Sequence, residues 1–209
     1  MTDRIEVATR RSWWPDGLYQ DAGGYFRHRG PQLDLTNFRK YSAAVGRNSA
    51  PALLFDLVYI DESLDVARVP GAVADAWSSA ESPERALESD TWTELFMRAG
   101  YTVDDRPAER PSEPVRVFRG CTADLIYDEV HDCDVDPRFG MSWTTDVEMA
   151  RRFASGIRGR RPGNVYAAVV QPEHLLAYLG PEHRDESEFV VHPAGLSDEN
   201  VVLLEELAT

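Results

Sequence analysis

The first half of the chain carries apolar residues at helical spacing. In residues 50–68 they stand at positions 53, 54, 57, 58, 60 and 64, which predicts an amphipathic helix. Two further helices are predicted for residues 71–80 and 82–101, the second with Pro at its first position and Gly100 near its end. Residues 1–48 are polar and rich in turn-forming residues, so they predict no long element. The first half is therefore expected to be mainly helical.

The pattern changes at residues 106–114, a segment with three prolines, alternating charge and nothing to bury. We take this segment as the boundary between a helical N-terminal region, 1–110, and a second region, 111–209. In the second region apolar and polar residues alternate, which is typical of strands. The segments predicted as strands are 115–120, 140–146, 165–172, 187–193 and 200–207.

Helical signals are few in the second region. Residues 147–156 predict a helix that Thr145 or Asp146 caps, and residues 173–180 predict a short helical turn. Several strands that follow a helical half, without regular alternation of strands and helices, predict an α+β fold rather than βαβ units.

The composition is that of a folded, strongly acidic protein. Of 209 residues 43% are hydrophobic, which is enough for one sizeable core or two small ones. The formal net charge of −14 disfavours binding to nucleic acid and to anionic membranes. No N-terminal apolar segment resembles a signal peptide, and no apolar run approaches the length of a membrane span. We therefore expect a cytoplasmic protein.

The two cysteines, Cys121 and Cys133, do not form a metal-binding or redox motif, because eleven residues separate them. His131 and Asp132 stand beside Cys133, but a lone cluster in an Asp-rich loop is more often solvated than metal-bound. No metal is therefore expected.

Two glutamates, Glu186 and Glu188, precede the apolar residues of the strand predicted at 187–193. On an extended strand, side chains two apart point to the same face, where two carboxylates repel each other. Either that face is solvated and the pair is incidental, or the pair takes part in chemistry.

Three further features of the second region each have an ordinary structural explanation. Arg119, at the end of a strand and before Gly120, could be a salt-bridge partner. The hydroxyls of Ser142 and Thr144 could satisfy nearby backbone groups. Phe153 lies on an apolar helix face and would normally belong to the core.

In chain order, VFRG, GMSWTTDVEMARRFA and ESEFVV resemble the motifs of mono-ADP-ribosyltransferases of the Arg–Ser–Glu type. That family includes bacterial toxins and vertebrate ecto-enzymes. The resemblance covers about residues 113–207. It implies a β core of two small sheets around an NAD cleft, with the helical N-terminal region packed against it. In many members a helical layer also supplies an aromatic to the cofactor site, for which Tyr41, Tyr59 and Tyr101 are candidates.

The resemblance implies which residues bind NAD. Arg119 resembles the arginine that binds the phosphates and the adjoining ribose, and a planar guanidinium suits phosphate oxygens. The backbone of Gly120 would approach the nicotinamide amide, and Phe153 would lie against the nicotinamide. The loop that usually passes over the phosphates contains three arginines, Arg158, Arg160 and Arg161, one of which would contact a phosphate. The sequence does not decide which of the three it is, and Arg158 stands for them among the candidate NAD-binding residues.

The resemblance also implies how the catalytic residues divide their work. Glu188 resembles the catalytic glutamate, which stabilises the positive charge that develops on the ribose. Ser142 would hold Glu188 by a hydrogen bond with support from Thr144, while Trp143 stands where the family has a small residue. Glu186 resembles the first glutamate of the pair, which engages the acceptor guanidinium in arginine-modifying members.

The sequence therefore predicts transfer of ADP-ribose from NAD to a protein arginine, with release of nicotinamide. The acidic second region, with 18 acidic and 9 basic residues, would attract a cationic acceptor. One alternative sends the ADP-ribose to a nucleic acid, a small molecule or water. Another is a non-catalytic acidic interaction module that does not bind NAD. A self-toxic enzyme would also need a neutralising partner.

Overall fold

Contacts between residues divide the chain into two units. The first contains the residues up to Gly100 together with 105–107, and the second contains 101–104 and the residues from Ala108 onward. The computed structural model describes residues 9–128, 132–156, 162–180 and 186–207. Those residues form six α-helices, one mixed sheet of eight strands and two sheets of two strands. The coarse prediction of a fold that mixes helices and strands is therefore confirmed.

The described part of the first unit contains five α-helices and one small sheet. The helices are α1 (Leu35–Val45), α2 (Ala50–Phe55), α3 (Gly71–Ser79), α4 (Pro83–Ala86) and α5 (Ser89–Ala99). The sheet pairs β1 (Leu18–Gln20) with β2 (Phe26–His28). Buried aromatic rings hold α3 and α5 together, because the centroid of Trp77 lies 5.1 Å from that of Trp92 and 5.6 Å from that of Phe96.

The helices of this unit differ from the prediction in three places. The helix predicted for 50–68 is α-helical only to Phe55 and continues as a π-helical turn over Asp56–Ile60. The helix predicted for 82–101 is divided into α4 and α5, whereas the helix predicted for 71–80 is confirmed as α3. The sequence missed α1, because only Phe38, Tyr41 and Ser42 of it are buried and its apolar signal is thin.

Most of the second unit is the large sheet. Its elements in chain order are β3 (Thr102–Val103), β5 (Val115–Cys121), β8 (Ser142–Thr144), β9 (Asn164–Val170), β10 (Leu175–Leu179), β11 (Glu188–Val191) and β12 (Val202–Glu206), while β4 is Arg106–Pro107. The strands of this unit lie side by side in the order β12-β9-β5-β8-β11-β10-β3. A separate hairpin pairs β6 (Ile126–Asp128) with β7 (Cys133–Val135).

The short helical turn predicted for 173–180 is wrong. Residues Pro172–His174 form a 3₁₀ turn, but Leu175–Leu179 form β10 between β11 and β3. Four of its five residues are buried, so the segment reads as an unbroken apolar run. Periodicity alone does not separate a short buried strand from a short buried helix.

At the centre of the large sheet, the neighbouring strands β5 and β8 are paired over a very short length. Seven Cα pairs are in register between β5 and β9, and three between β11 and β8. A single pair, Phe118 with Thr144, joins β5 to β8. The prediction named two small sheets; the structure instead has one sheet whose two halves meet at this single pair, which we call the seam.

Helix α6 (Val147–Ala154) covers one face of β5. Asp146 caps it by accepting a hydrogen bond from the backbone N–H of Glu148 at 2.8 Å, which settles the choice between Thr145 and Asp146. Ala150 and Ala154 are its buried residues and pack with Val165 of β9. Within the described residues, no helix combines the length and the apolar character that crossing a membrane requires.

Candidate active site

Arg119 lies at the seam. Its Nε donates to the backbone carbonyl of Pro137 at 2.7 Å, and its Nη1 donates to the carbonyl of Ser142 at 2.6 Å. The registered pairing of β5 and β8 stops at Phe118, one residue earlier. The guanidinium therefore binds the main chain of β8 just where the ladder between the two strands is no longer continued.

The carbonyl of Pro137 that binds Arg119 belongs to a 3₁₀ turn, Pro137–Phe139, which a second arginine, Arg138, holds in place. Asp136 accepts hydrogen bonds from both the backbone N–H and the Nε of Arg138, and Asp198 accepts from Nη2 of Arg138. The carboxylate of Asp136 raises the pKa of Arg138, since it stabilises the charged guanidinium. The sequence predicted neither the contact of Arg138 with Asp198 nor the bond from Arg119 to Pro137. Both depend on segments that are distant in the chain.

Gly120 is required by the packing of α6. A Cβ at this position would lie 1.8 Å from the carbonyl oxygen of Ala150 and 2.8 Å from the backbone nitrogen of Ala154. No side chain fits at that distance, so the helix backbone lies directly on the strand. The resemblance assigned the close approach at this glycine to nicotinamide. The structure shows that the packing of α6 alone already requires a glycine here.

Phe153 is not a core residue. It stands one position before the buried Ala154 on α6, and 47% of it is exposed. The expectation that an aromatic on an apolar helix face belongs to the core therefore fails here. An exposed ring on the helix that packs on Gly120 is available for contact with a ligand.

Ser142 and Thr144 lie on β8 with their side chains on the same face, since they are two residues apart on a strand. The Thr144 hydroxyl donates to the carbonyl of Glu186 at 2.6 Å and accepts from the backbone N–H of Asp146 at 3.0 Å. Thr144 thus connects the start of α6 to the segment that carries the two glutamates.

Glu188 is the first residue of β11 and lies directly opposite Thr144. Ser142 is opposite Val190, which puts Ser142 and Glu188 at diagonal positions about 7–8 Å apart, within reach of a long side chain. Glu188 is only 3% exposed. A charged group is rarely buried to that extent without a specific reason, so this carboxyl is the most unusual polar group of the sheet.

The two glutamates do not share one extended strand. Ser187 between them has a φ of 47°, in the left-handed region that residues with a side chain seldom adopt. Glu186 precedes this residue and is half-buried, whereas Glu188 follows it and is buried. The period-two rule that placed both carboxylates on one face therefore does not apply. Backbone strain of this kind is concentrated at functional sites.

Trp143 fills the opposite face of β8. It is 1% exposed, its Nε1 donates to the carbonyl of Gly140 at 2.7 Å, and it packs with Phe189 and Val191 of β11. The residue that departs from the family pattern is therefore a core residue. Its size does not intrude on the face of Ser142, because successive side chains of a strand point to opposite faces.

The three sequence motifs come together on three neighbouring strands, β5, β8 and β11. Arg119 contacts the main chain of Ser142, Thr144 contacts the main chain of Glu186, and Glu188 lies across from Thr144. Arg158, Arg160 and Arg161, the candidates for a phosphate contact, lie outside the described residues. Tyr101 belongs to the buried cluster around Trp143.

No family model, no curated protein and no solved structure matches this chain.

Proposed function

We propose that this protein is an NAD-dependent mono-ADP-ribosyltransferase that modifies arginine side chains of a protein acceptor. The observation that carries the proposal is that the strands bearing Arg119, Ser142, Thr144 and Glu188 are neighbours in one sheet, with Arg119 hydrogen-bonded to the main chain of Ser142 and Glu188 opposite Thr144. The four residues are spread from position 119 to position 188 in the chain, and the strand order β5-β8-β11 places their strands side by side. A chance match of three short motifs would not require their strands to be adjacent.

The side chains in and near the seam include groups of the kinds that bind the phosphates, the nicotinamide and the ribose of NAD. Arg119 carries a guanidinium, a group that suits phosphate oxygens. Since its Nε and Nη1 donate to the carbonyls of Pro137 and Ser142, a bidentate phosphate would replace at least one of these contacts. Phe153 offers an exposed ring for the nicotinamide, and Ser142 offers a hydroxyl for the ribose or for Glu188. Arg119, Ser142 and Phe153 would hold the dinucleotide.

In this reaction the bond between the nicotinamide nitrogen and C1′ of ribose breaks, and its electron pair leaves with nicotinamide. A new bond forms between C1′ and a guanidine nitrogen of the acceptor, which loses one proton. Positive charge develops at C1′ between these events. The buried carboxylate of Glu188 would stabilise that charge, since a fixed charge acts strongly where water is excluded.

Glu186 would bind the acceptor. It is half-buried and separated from Glu188 by the left-handed Ser187, so the two carboxylates occupy different surroundings. The exposed part of Glu186 is suited to bind an incoming guanidinium and to accept its proton. A difference in burial within one short motif is thus the basis for separate roles.

The test is incubation of the purified chain with NAD and with arginine methyl ester as acceptor. We expect release of nicotinamide and formation of ADP-ribosylated arginine methyl ester. The variant E188Q should lose both, while E199Q, a change at an exposed acidic residue, should keep both. If E188Q kept the wild-type rate of nicotinamide release, the proposed role of Glu188 would be wrong.

A second variant separates the two glutamates. E186Q should lose transfer to arginine and retain hydrolysis of NAD, because only the acceptor contact is removed. Equal loss of both activities would contradict separate roles. Titration of the wild type with NAD by calorimetry tests binding directly, and no binding would favour the non-catalytic interaction module.

A further inference from the structure

The β6–β7 hairpin is a two-stranded sheet with apolar side chains in solvent. Within the part of the chain that the structure describes, each of its strands pairs only with the other. Leu125, just before β6, is 58% exposed, Tyr127 is 58% exposed and Val135 is 44% exposed. Leu125 and Tyr127, two residues apart, share one face with Asp134, which lies opposite Tyr127, whereas Val135 lies opposite Ile126 on the other face. Leu125 and Tyr127 are here called the hairpin patch.

A hairpin of this kind is an unusual feature in a folded unit. Two strands of three residues each are marginally stable in water unless another surface covers one face. Exposed apolar side chains that cluster on one element, rather than being scattered, commonly mark an interaction site. The hairpin patch therefore indicates a surface that a partner covers.

The charge of the hairpin indicates what kind of partner this is. Residues 121–137 contain six acidic residues and neither Lys nor Arg. Asp124, Asp132 and Asp134 are exposed on this segment. A surface that combines carboxylates with apolar side chains complements a cationic segment that carries apolar residues of its own.

Both ends of the hairpin are attached to the candidate active site. The chain enters it from the end of β5, directly after Arg119 and Gly120. It leaves through the turn at Pro137, whose carbonyl accepts the hydrogen bond from Arg119, and then enters β8. A partner bound to the hairpin patch is therefore held beside the residues that would perform the transfer.

We propose that the β6–β7 hairpin binds the protein acceptor, through an arginine-containing segment that also bears apolar side chains. This inference rests on the proposed function, because it assigns the acceptor of that same reaction a second contact away from Glu186. The apolar patch supplies affinity, and the aspartates select cationic segments. Small arginine derivatives do not extend to the hairpin, so substitutions in the hairpin should leave their KM unchanged.

The test uses two synthetic peptides of equal length and charge, one alternating Arg with Leu and the other alternating Arg with Gly. The variant L125S/Y127S removes the hairpin patch. We expect it to raise KM for the Arg/Leu peptide about tenfold, with kcat unchanged, because two apolar contacts are lost. Its KM for the Arg/Gly peptide and for arginine methyl ester should not change.

A second variant, D124N/D134N, removes charge without removing apolar surface. It should raise KM for both peptides at low salt and reduce their salt dependence, since attraction between exposed charges is screened by ions. Matched controls are V169S, a change at a similarly exposed apolar residue on β9, and E199Q, a change at an exposed acidic residue. Changes in KM that equal those of the controls, or that extend to arginine methyl ester, would overturn the proposal.

Binding measured without turnover separates this inference from the proposed function. Fluorescence anisotropy with labelled Arg/Leu peptide should show weaker binding to L125S/Y127S and to D124N/D134N than to the wild type and both controls. If the wild type released no nicotinamide yet showed this pattern, the hairpin would be a binding surface and the proposed enzyme activity would be wrong. Equal affinity in all five proteins would refute the hairpin proposal whether or not the enzyme is active.

Discussion

The two faces of the strand pair β8–β11 use the same backbone for opposite purposes. On one face, Trp143 packs with Phe189 and Val191 in a cluster of buried apolar residues. On the other face stand Ser142, Thr144 and the buried carboxyl of Glu188. One register, in which Phe189 lies opposite Trp143 and Glu188 opposite Thr144, sets both faces at once.

The difference between the faces shows how a sheet holds reactive groups in place. The apolar face stabilises the strands by burial, so the polar face does not need to contribute to stability. The polar face then carries groups that a stable core would normally exclude, such as a buried carboxyl. Substitutions on the first face should therefore act on folding, and those on the second on chemistry.

The largest effect is expected on the apolar face. Trp143→Ala removes a fully buried indole from the centre of the cluster, and it should lower the free energy of unfolding by about 3–5 kcal/mol. Urea denaturation monitored by fluorescence measures this loss. A loss below that of Val169→Ala, a change at an exposed residue of β9, would show that the cluster does not stabilise the sheet.

The next effect is expected on the polar face and on activity alone. Glu188→Gln keeps the shape of the side chain and removes its charge, so nicotinamide release should fall by about 10²–10³-fold. The free energy of unfolding should change far less than in Trp143→Ala, because Gln keeps the size of the side chain and much of its hydrogen-bonding capacity. A variant that lost stability along with activity would contradict the separation of the two faces.

A smaller effect is expected on stability at alkaline pH, through Tyr101 in the buried cluster around Trp143. Burial raises the pKa of Tyr101 to about 12, above the value near 10 that it has in the unfolded chain. Between these values the unfolded chain releases a proton that the folded protein keeps, so stability should fall by up to about 1.4 kcal/mol per pH unit. Tyr101→Phe should remove this part of the pH dependence, which denaturation at pH 9, 10 and 11 would detect. An unchanged slope would place the Tyr101 hydroxyl in contact with water.

A modest effect on stability is expected at Thr144, whose hydroxyl contributes both to the fold and to the candidate site. Thr144→Val removes the hydroxyl that binds the Glu186 carbonyl and the Asp146 N–H, and it should cost about 1–2 kcal/mol of stability. Activity should fall more than this loss explains, because the segment with the two glutamates is released. Thr144→Ser keeps the hydroxyl and should restore most of both properties; failure to do so would show that the methyl group, and not the hydrogen bond, matters.

Much of the candidate site could be read from the sequence because its pieces lie at the ends of clear elements. The strand ending near Arg119, the helix over 147–154 and the strand that follows Glu188 all have distinct patterns of apolar residues. By contrast, the burial of Trp143 was not predicted; from the sequence this residue was only a departure from the family pattern. The close packing of α6 on Gly120 was not predicted either, because the local sequence does not show which other element will approach a glycine.

The sequence by itself determined where most strands of the second unit run and which residues alternate along each one, since these depend on neighbours in the chain. The tertiary structure decided which strands are adjacent, and it alone brought β5, β8 and β11 into one sheet. It also decided that Arg119 binds the carbonyls of Pro137 and Ser142, and that Ser187 takes a left-handed conformation that separates the two glutamates. The physical reason is that pairing and contacts between distant segments depend on the packing of the whole unit, whereas apolar periodicity reports only the burial of one segment at a time.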